Sequence, residues 1–444
     1  MSEKSFSYLS VFPDGIRPTR VVVDLHSGNI ESLLPESGPV EQSCLLFPGF
    51  VDIHVHAREF PKPATEDNEL IKKWESTCDK EMFASAGDAA INGGVTCFAA
   101  MPNDPIPPDN KTTYDRKRLL VEQSRCPVIL FAAVTERSEP WADLPYKLYL
   151  DSNPNQVTFS DWRKVEDALS RYKGNRLFFH AEDPEILRKN EGQTEHWEKR
   201  PPEAEVRAVA KILEFTHRYH LDTHICHVST EGAVNLIREY NATASTKVTC
   251  EVTPHHLFFS VDQAGYRADG RKTDIPGYIL NCNPPLRSEH HRQAMIEALR
   301  SGLIQTLASD HAPHSLAEKK LGVSGMPHLD TLGPFVGWLI KSCGFDPMLV
   351  AKILSEEPFR IITSNLNQKF GRLQKGDGAS FTVIDFGQKT EVGHADGRAP
   401  NRRLFTRCGW SPFEYTSLPA YVRSTVINGV EFNCGQARCR RESD

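Results

Sequence analysis

Eight short β-rich runs recur through the middle of this 444-residue chain, and their spacing constrains the fold more than any other feature. They are Phe50–His54, Val95–Met101, Val128–Val134, Tyr146–Leu150, Leu177–His180, Thr223–Val228, Val248–Val252 and Ile304–Ala308. Between most of them lie polar stretches long enough for a helix, such as Asp161–Tyr172, Glu203–Tyr219, Glu231–Tyr240 and Ser288–Arg300. Parallel strands need a crossover of about a dozen residues or more, most often a helix, so this alternation predicts parallel βα units. Eight such units predict an α/β fold, a (β/α)8 TIM-type barrel with its active site at the C-terminal ends of the strands. A doubly wound open sheet competes, but no glycine-rich dinucleotide fingerprint follows the first run.

The two ends have a different texture. From Phe6 to Leu45 the chain reads as short strands with turns at Pro13-Asp14-Gly15 and Ser27-Gly28-Asn29, and Val21, Val22 and Val23 favour strand. The texture returns at Ala379–Asp385 and Val422–Ile427, the latter followed by an Asn428-Gly429 hairpin signal. Residues 1–46 and 371–444 are therefore expected to form one small composite β domain, a β-sandwich built from both termini, around a barrel at 47–370. Gly344–Asn365 reads as a helix of the barrel's outer layer.

If the barrel is right, reacting residues sit where strands end. The first run ends with His54 and His56, which share a face if the strand continues. Arg58 extends that alternation, where it could hold an anion. His180 ends the fifth run, His227 the sixth, and Asp310 follows the eighth, while Lys147 lies inside the fourth. Taken singly, a strand-end histidine is more often solvated or hydrogen-bonded than a ligand, and an aspartate after a strand often caps a helix. Four histidines, an aspartate and a lysine at one end of one barrel instead suit a metal such as zinc. A protonated lysine cannot be a ligand. In a cationic, partly buried site the ammonium gives up its proton more easily, and the neutral amine can add carbon dioxide to form a bridging carbamate. His217, His220, His290, His291 and His394 fall in helical or loop stretches and read as solvated. His224 begins a strand away from the reacting end, and His255–His256 reads as structural or as supporting the site.

Charge and cysteine content exclude some partners. A net charge of −6 argues against nucleic acid or an anionic membrane as partner. No apolar run approaches the about 20 residues that span a bilayer, and the N-terminus lacks a signal-peptide core. The 11 cysteines show no Cys-x-x-Cys spacing, as expected of reduced thiols in a cytoplasmic protein.

The motifs PGFVDIHVHAR, MPN, YKLYL, HAED, HICHVS, PHHLF, NPPLRS and SDHAPH together resemble the amidohydrolase superfamily and, within it, the dihydroorotase family. The resemblance covers nearly the whole chain. It implies that His54, His56 and Asp310 hold one zinc ion, that His180 and His227 hold a second, and that carboxylated Lys147 bridges them. One or two Zn2+ ions per subunit are expected, two on this resemblance. Ionised water shared by the metals would attack, with Asp310 as general acid/base. Arg58 and Asn103 match the family's positions that grip the substrate carboxylate, and Asn283 and His314 match two further substrate contacts. The implied reaction is the reversible cyclisation of N-carbamoyl-L-aspartate to L-dihydroorotate in pyrimidine (UMP) biosynthesis, by a homodimer or other homo-oligomer.

The chain departs from the family pattern after Arg58-Glu59, which runs into Phe60-Pro61, and in the longer segment Asp151–Thr158. In the family a loop at the latter place covers the substrate, which marks Thr158 as a lid contact to look for. Two alternatives stay open: an allantoinase or a hydantoinase/dihydropyrimidinase-like enzyme, and a non-catalytic scaffold on the same fold.

Overall fold

The computed structural model describes residues 3–65, 67–152, 157–262, 277–362, 371–392, 401–414, 416–434 and 440–441. At the N-terminus, β1 (Glu3–Phe12) and β2 (Gly15–Asp24) form an antiparallel hairpin, and β3 (Asn29–Pro35) continues it across the Ser27-Gly28-Asn29 turn. β4 (Cys44–Pro48) returns parallel to β1.

Ten strands follow: β5 (Phe50–Val55), β6 (Val95–Ala100), β7 (Val128–Leu130), β8 (Ala132–Ala133), β9 (Tyr146–Leu150), β10 (Thr158–Phe159), β11 (Arg176–His180), β12 (Asp222–Ile225), β13 (Thr249–Val252) and β14 (Thr306–Leu307). Every pairing among them is parallel, in the orders β5-β6-β7 and β10-β9-β11-β12-β13-β14 with β8 also on β9. All residues of β5 and β6 are buried, as expected of parallel strands covered on both faces, and only Asp52, His54 and Thr96 carry polar side chains among their apolar residues.

The run expected as one strand over Val128–Val134 divides at Phe131 because the backbone changes partner there. Phe131 N donates to Ala100 O at 3.1 Å, whereas Ala132 N donates to Pro145 O at 3.0 Å. The short β10 was not expected; it pairs with β9 and carries Thr158. Beyond β14, His56 N donates to His311 O at 2.8 Å, and Val55 bridges His311 in parallel.

The expected helices form at Trp162–Arg171, Pro202–Tyr219, Glu231–Thr243 and Glu289–Arg300. Two start where a side-chain cap satisfies an orphan amide: Asp161 accepts from Arg163 N, and Thr230 from Ala233 N. The helix expected over Gly344–Asn365 is interrupted. It runs Pro347–Ala351, then a π turn Lys352–Glu356, then Glu357–Ile362, with residues 363–365 outside the described part. Pro358 has no N–H to give to Leu354 one turn back, which accounts for the π turn before it.

At the C-terminal end come β15 (Phe381–Asp385), β16 (Thr390–Val392), β17 (Thr416–Leu418), β18 (Tyr421–Ile427), β19 (Val430–Asn433) and β20 (Arg440–Arg441). Asn428 and Gly429 take φ of 48° and 81°, the two positive angles of a type I′ hairpin joining β18 to β19. β15 pairs antiparallel with both β4 and β18, so strands from both ends share one sheet, ordered β20-β19-β18-β15-β4-β1-β2-β3. Phe6, Val21, Val23, Leu46, Phe381, Val383 and Val426 pack together on it.

The sheet meets the central strands where glycines permit close approach. Gly333 N donates to Gly93 O at 2.8 Å. A Cβ on Gly333, in the helix Leu332–Lys341, would lie 2.3 Å from Val422 Cγ2 on β18 and 2.6 Å from Gly93 O. Gly333→Val should therefore cost about 1–3 kcal/mol through overpacking. The expected result is a lower urea midpoint with an unchanged slope; an unchanged midpoint would mean that this contact does not seat the helix on the sheet.

Candidate functional site

Three of the five described non-glycine residues with positive φ are residues singled out from the sequence: Arg58 at 61°, His227 at 34° and Asp310 at 46°. The other two, His220 and Asn428, sit at a helix end and a hairpin turn. Such backbone costs about 1–3 kcal/mol per residue and persists where the surroundings over-determine it. For Arg58 it corrects the expected alternation. β5 ends at Val55, so Arg58 reaches the site through a turn, with Glu59 N bonded to Ala57 O at 2.7 Å.

A cavity of about 240 Å³ is lined by His54, His56, Arg58, Asn103, His180, His227, Asn283, Asp310 and His314, together with Tyr149, Asp151, Thr158 and Ser324. Every candidate site residue from the sequence is there except Lys147. Lys147 is fully buried below it, with Nζ donating to Cys226 Sγ at 2.7 Å.

The histidines are held in a common way. His54 Nδ1 bonds the Glu251 carboxylate, His56 Nδ1 bonds Asn103 Oδ1 at 2.7 Å, and His180 Nε2 bonds Glu182 Oε2 at 3.0 Å. An acceptor at one ring nitrogen keeps the proton there and leaves the other as a lone pair. Those lone pairs converge. His54 Nε2 and His56 Nε2 both lie 3.2 Å from Asp310 Oδ1, and His180 Nδ1 lies 2.9 Å from His227 Nε2. His54, His227 and Asp310 offer donor atoms within 4.8 Å of one another, as do His54, Cys226 and Glu251. Lone pairs and a carboxylate oxygen aimed at one point repel unless a cation sits among them, and this nitrogen–oxygen set suits zinc.

The charges agree. Burial alone would push the His54 imidazolium down, but the Glu251 and Asp310 carboxylates overcome it and raise its pKa to about 10. Burial takes His56 down to about 4 against the pull of Asp310, and takes His227 well below its usual value, helped by His180 and His54. Burial opposes ionisation of Asp310, yet His54 and His56 hold it at about 2.

The outer pocket is built to donate. Arg58 Nη2 donates to His314 Nε2 at 3.1 Å, and burial with Arg58 alongside holds His314 neutral, far below its usual pKa. Asn103 Oδ1 is taken by His56, and Asn283 Oδ1 by His196 Nε2 at 3.0 Å. Both amides therefore present Nδ2 to a ligand.

Several residues escaped the sequence reading. Glu251 supports His54 and also His224, whose Nε2 lies 3.1 Å away. Glu182 supports His180 and is gripped by Arg200, which also holds Asp151. The only hint for Glu182 was its place two residues after His180 in HAED; Arg200 gave none. His255 and His256 are buried and do not line the cavity. His256 is spent on Thr253 Oγ1 at 2.8 Å and Pro284 O at 3.1 Å, and His255 Nδ1 lies 2.9 Å from His328. His255, His256 and the neighbouring Cys282 bring donor atoms within 4.8 Å of one another, and burial pushes the Cys282 thiol up to about 12. His217, His220 and His290 are exposed and His291 partly so, and His394 lies outside the described residues.

No family model matches the chain. The dihydroorotase of Thermococcus kodakarensis is 30% identical over 397 residues, covering 88% of this chain and 83% of the relative. That of Pyrococcus furiosus is 29% identical over 391 residues, covering 88% and 82%. Among solved structures, the L-hydantoinase of Arthrobacter aurescens superposes with a TM-score of 0.81 over 98% of this chain and 96% of that one, at 20% identity. A likeness at that identity speaks to the α/β fold alone.

The buried chain His180–Glu182–Arg200–Asp151 can be tested by itself. Burial opposes ionisation of Glu182, but Arg200 holds its pKa at about 2. Arg200→Met takes the guanidinium from Asp151 and from the buried Glu182, which keeps only His180 of its ion-pair partners, and should cost about 3–5 kcal/mol near pH 7. Because the folded pKa is below the unfolded value, the stabilisation is full above about pH 4.5 and is lost as pH falls toward 2. Urea unfolding of the metal-stripped pair should show a gap that is flat from pH 5 to 8 and narrows below about pH 4. A gap that stays constant into acid would contradict the assignment.

Proposed function

Because the chain belongs to the dihydroorotase family, we propose that it interconverts N-carbamoyl-L-aspartate and L-dihydroorotate, a hydrolase reaction on a cyclic amide in pyrimidine biosynthesis. The observation that carries this is the convergence of metal-type donors and an arginine–amide pocket on one cavity. His54, His56 and Asp310 would hold one zinc ion, and His180 and His227 a second. Lys147, carboxylated on Nζ, would bridge them. When bound, the ions polarise the ring carbonyl and acidify water.

The chain's own groups do the rest. Asp310, ionised at neutral pH, takes a proton from the attacking water and delivers it to the departing ring nitrogen. In cyclisation it works in reverse. Arg58, Asn103 and Asn283 would donate charge-assisted hydrogen bonds to the substrate carboxylate, and His314, whose Nε2 accepts from Arg58, would orient the guanidinium beside it. Thr158 and Asp151, beside them on the cavity wall, sit where a lid would meet the substrate.

The same reading closes the parallel strands into a (β/α)8 barrel over 47–370, supported by the hydrogen bond from His56 to His311. It treats 1–46 with 371–444 as the small composite domain, and the enzyme as a cytoplasmic homodimer or other homo-oligomer acting on a small molecule. Among the described residues, no helix is long and apolar enough to cross a membrane.

The deciding experiment follows the ultraviolet absorbance of L-dihydroorotate with purified protein, before and after zinc removal and restoration. Loss of substrate should stop with a chelator and return with zinc. A folded, zinc-loaded protein that leaves dihydroorotate intact but opens hydantoin or allantoin would move the assignment to those rings; failure on all of them would favour a scaffold. For the carboxylate pocket, Arg58→Met should raise KM about 10- to 100-fold, the worth of a lost hydrogen bond to a charged group, while zinc content holds. A wild-type KM in that variant would rule out Arg58 as the carboxylate contact.

A further inference from the structure

Among the described residues, the hydroxyl of one buried phenol stands without a partner where others are satisfied. Tyr146 Oη donates to Ala142 O at 2.9 Å and accepts from Trp141 N at 3.0 Å. Tyr172 Oη donates to Ser138 Oγ at 2.8 Å, and Tyr114 Oη to Leu130 O at 3.3 Å. Tyr149 Oη, buried to less than 1 Å² of exposed surface, has no partner at all. Leaving a buried hydroxyl unbonded costs about 1–3 kcal/mol, which a phenylalanine would avoid.

Tyr149 lines the cavity beside His54, His180, His227 and Asp310. It stands two residues after Lys147 on β9, on the same side of the strand, and is in register with His180 on β11. Its ring centroid lies 6.4 Å from that of His180 and 5.1 Å from Lys147 Nζ. Arg58 and the two amides are committed to the carboxylate on the proposed reading, which leaves Tyr149 with Thr158 and Ser324 as the hydroxyls of the cavity lining. The carbonyl under attack gains charge on its oxygen, where a hydrogen-bond donor adds to the polarisation that bound ions supply.

We propose that Tyr149 is a further catalytic residue, its Oη–H donating a hydrogen bond to the oxygen of the ring carbonyl as negative charge develops there. This rests on the cyclic-amide reading. The proton stays on the phenol, and the bond is stronger to the charged oxygen than to the ground-state carbonyl, so it acts on kcat rather than on KM.

Tyr149→Phe removes the oxygen and keeps the ring. In the zinc-loaded enzyme, kcat for L-dihydroorotate should fall about 100-fold, the usual effect of one missing oxyanion donor, with KM within about threefold of wild type. Zinc content and urea midpoint, measured on the same sample, should match or exceed wild type, since the unbonded hydroxyl is gone. Unchanged kcat in the folded, zinc-loaded variant overturns the proposal. So does a raised KM with normal kcat, which marks a uniform binding contact, and so does loss of zinc, which marks a positioning role. If wild type ignores dihydroorotate but opens another cyclic amide, the substrate reading fails while the same comparison on that ring still decides Tyr149. No turnover of any cyclic amide overturns both.

Discussion

The site depends on a seam between the end of β5 and the chain after β14. Asp52 Oδ1 accepts from Ser309 N at 3.0 Å and from His54 N at 3.1 Å, tying together segments 257 residues apart. The bond from His56 N to His311 O lies just beyond it. Together they bring His54 and His56 onto Asp310. Asp52 is fully buried and its second oxygen has no partner, so burial pushes its pKa up to about 6 despite the amides that favour the anion. The motif spelled Val-Asp-Ile-His-Val-His thus carries its own fastener: the aspartate two residues before the first histidine fixes where the histidines point.

What the seam assembles is electrostatically unfinished. Glu251, Asn103 and Glu182 each fix one histidine nitrogen and turn its partner inward, where Asp310 adds negative charge. The raised pKa of His54 is the consequence, with Glu251 and Asp310 overcoming its burial. A proton and a metal ion draw on the same donors, so metal binding at this site depends on pH. The cost of burying Glu251 and Glu182 is met by pairing them, Glu251 with His54 and His224, Glu182 with His180 and Arg200.

Residues that act from strand ends were legible in the sequence because strand ends are legible: an apolar run stops, and a histidine or aspartate stands there. The hairpin turn at Asn428-Gly429 was legible because few residue pairs adopt two positive φ angles. Glu251, Glu182 and Arg200 were not, since their partners are chosen by register between strands and by helices far along the chain. No local periodicity encodes that His54 will face β13. The alternation drawn through Arg58 failed for a related reason: a strand pattern is reliable only while the strand lasts, and here it ends three residues earlier. Lys147 was found by its place in the fourth run, but its neighbour Cys226 comes from the end of another strand.

On the proposed reading, substrate choice follows from how the outer pocket has used its acceptors. His56 and His196 occupy the oxygens of Asn103 and Asn283, and neutral His314 takes one nitrogen of Arg58. What remains facing the cavity is nearly all donor, and Arg58 Nε is buried with no partner. A cyclic amide carrying a free carboxylate satisfies these groups together. A hydantoin ring of similar size leaves them desolvated and unpaired, and a site built to bond a polar group rejects an analogue that lacks it more strongly than an apolar pocket rejects a missing methylene. Discrimination between otherwise similar rings therefore resides in the hydrogen bonds that orient the amides, so that His196, whose Nε2 is shared between Asn283 Oδ1, Cys282 O and Ser324 Oγ, shapes specificity through the direction in which the Asn283 side chain points.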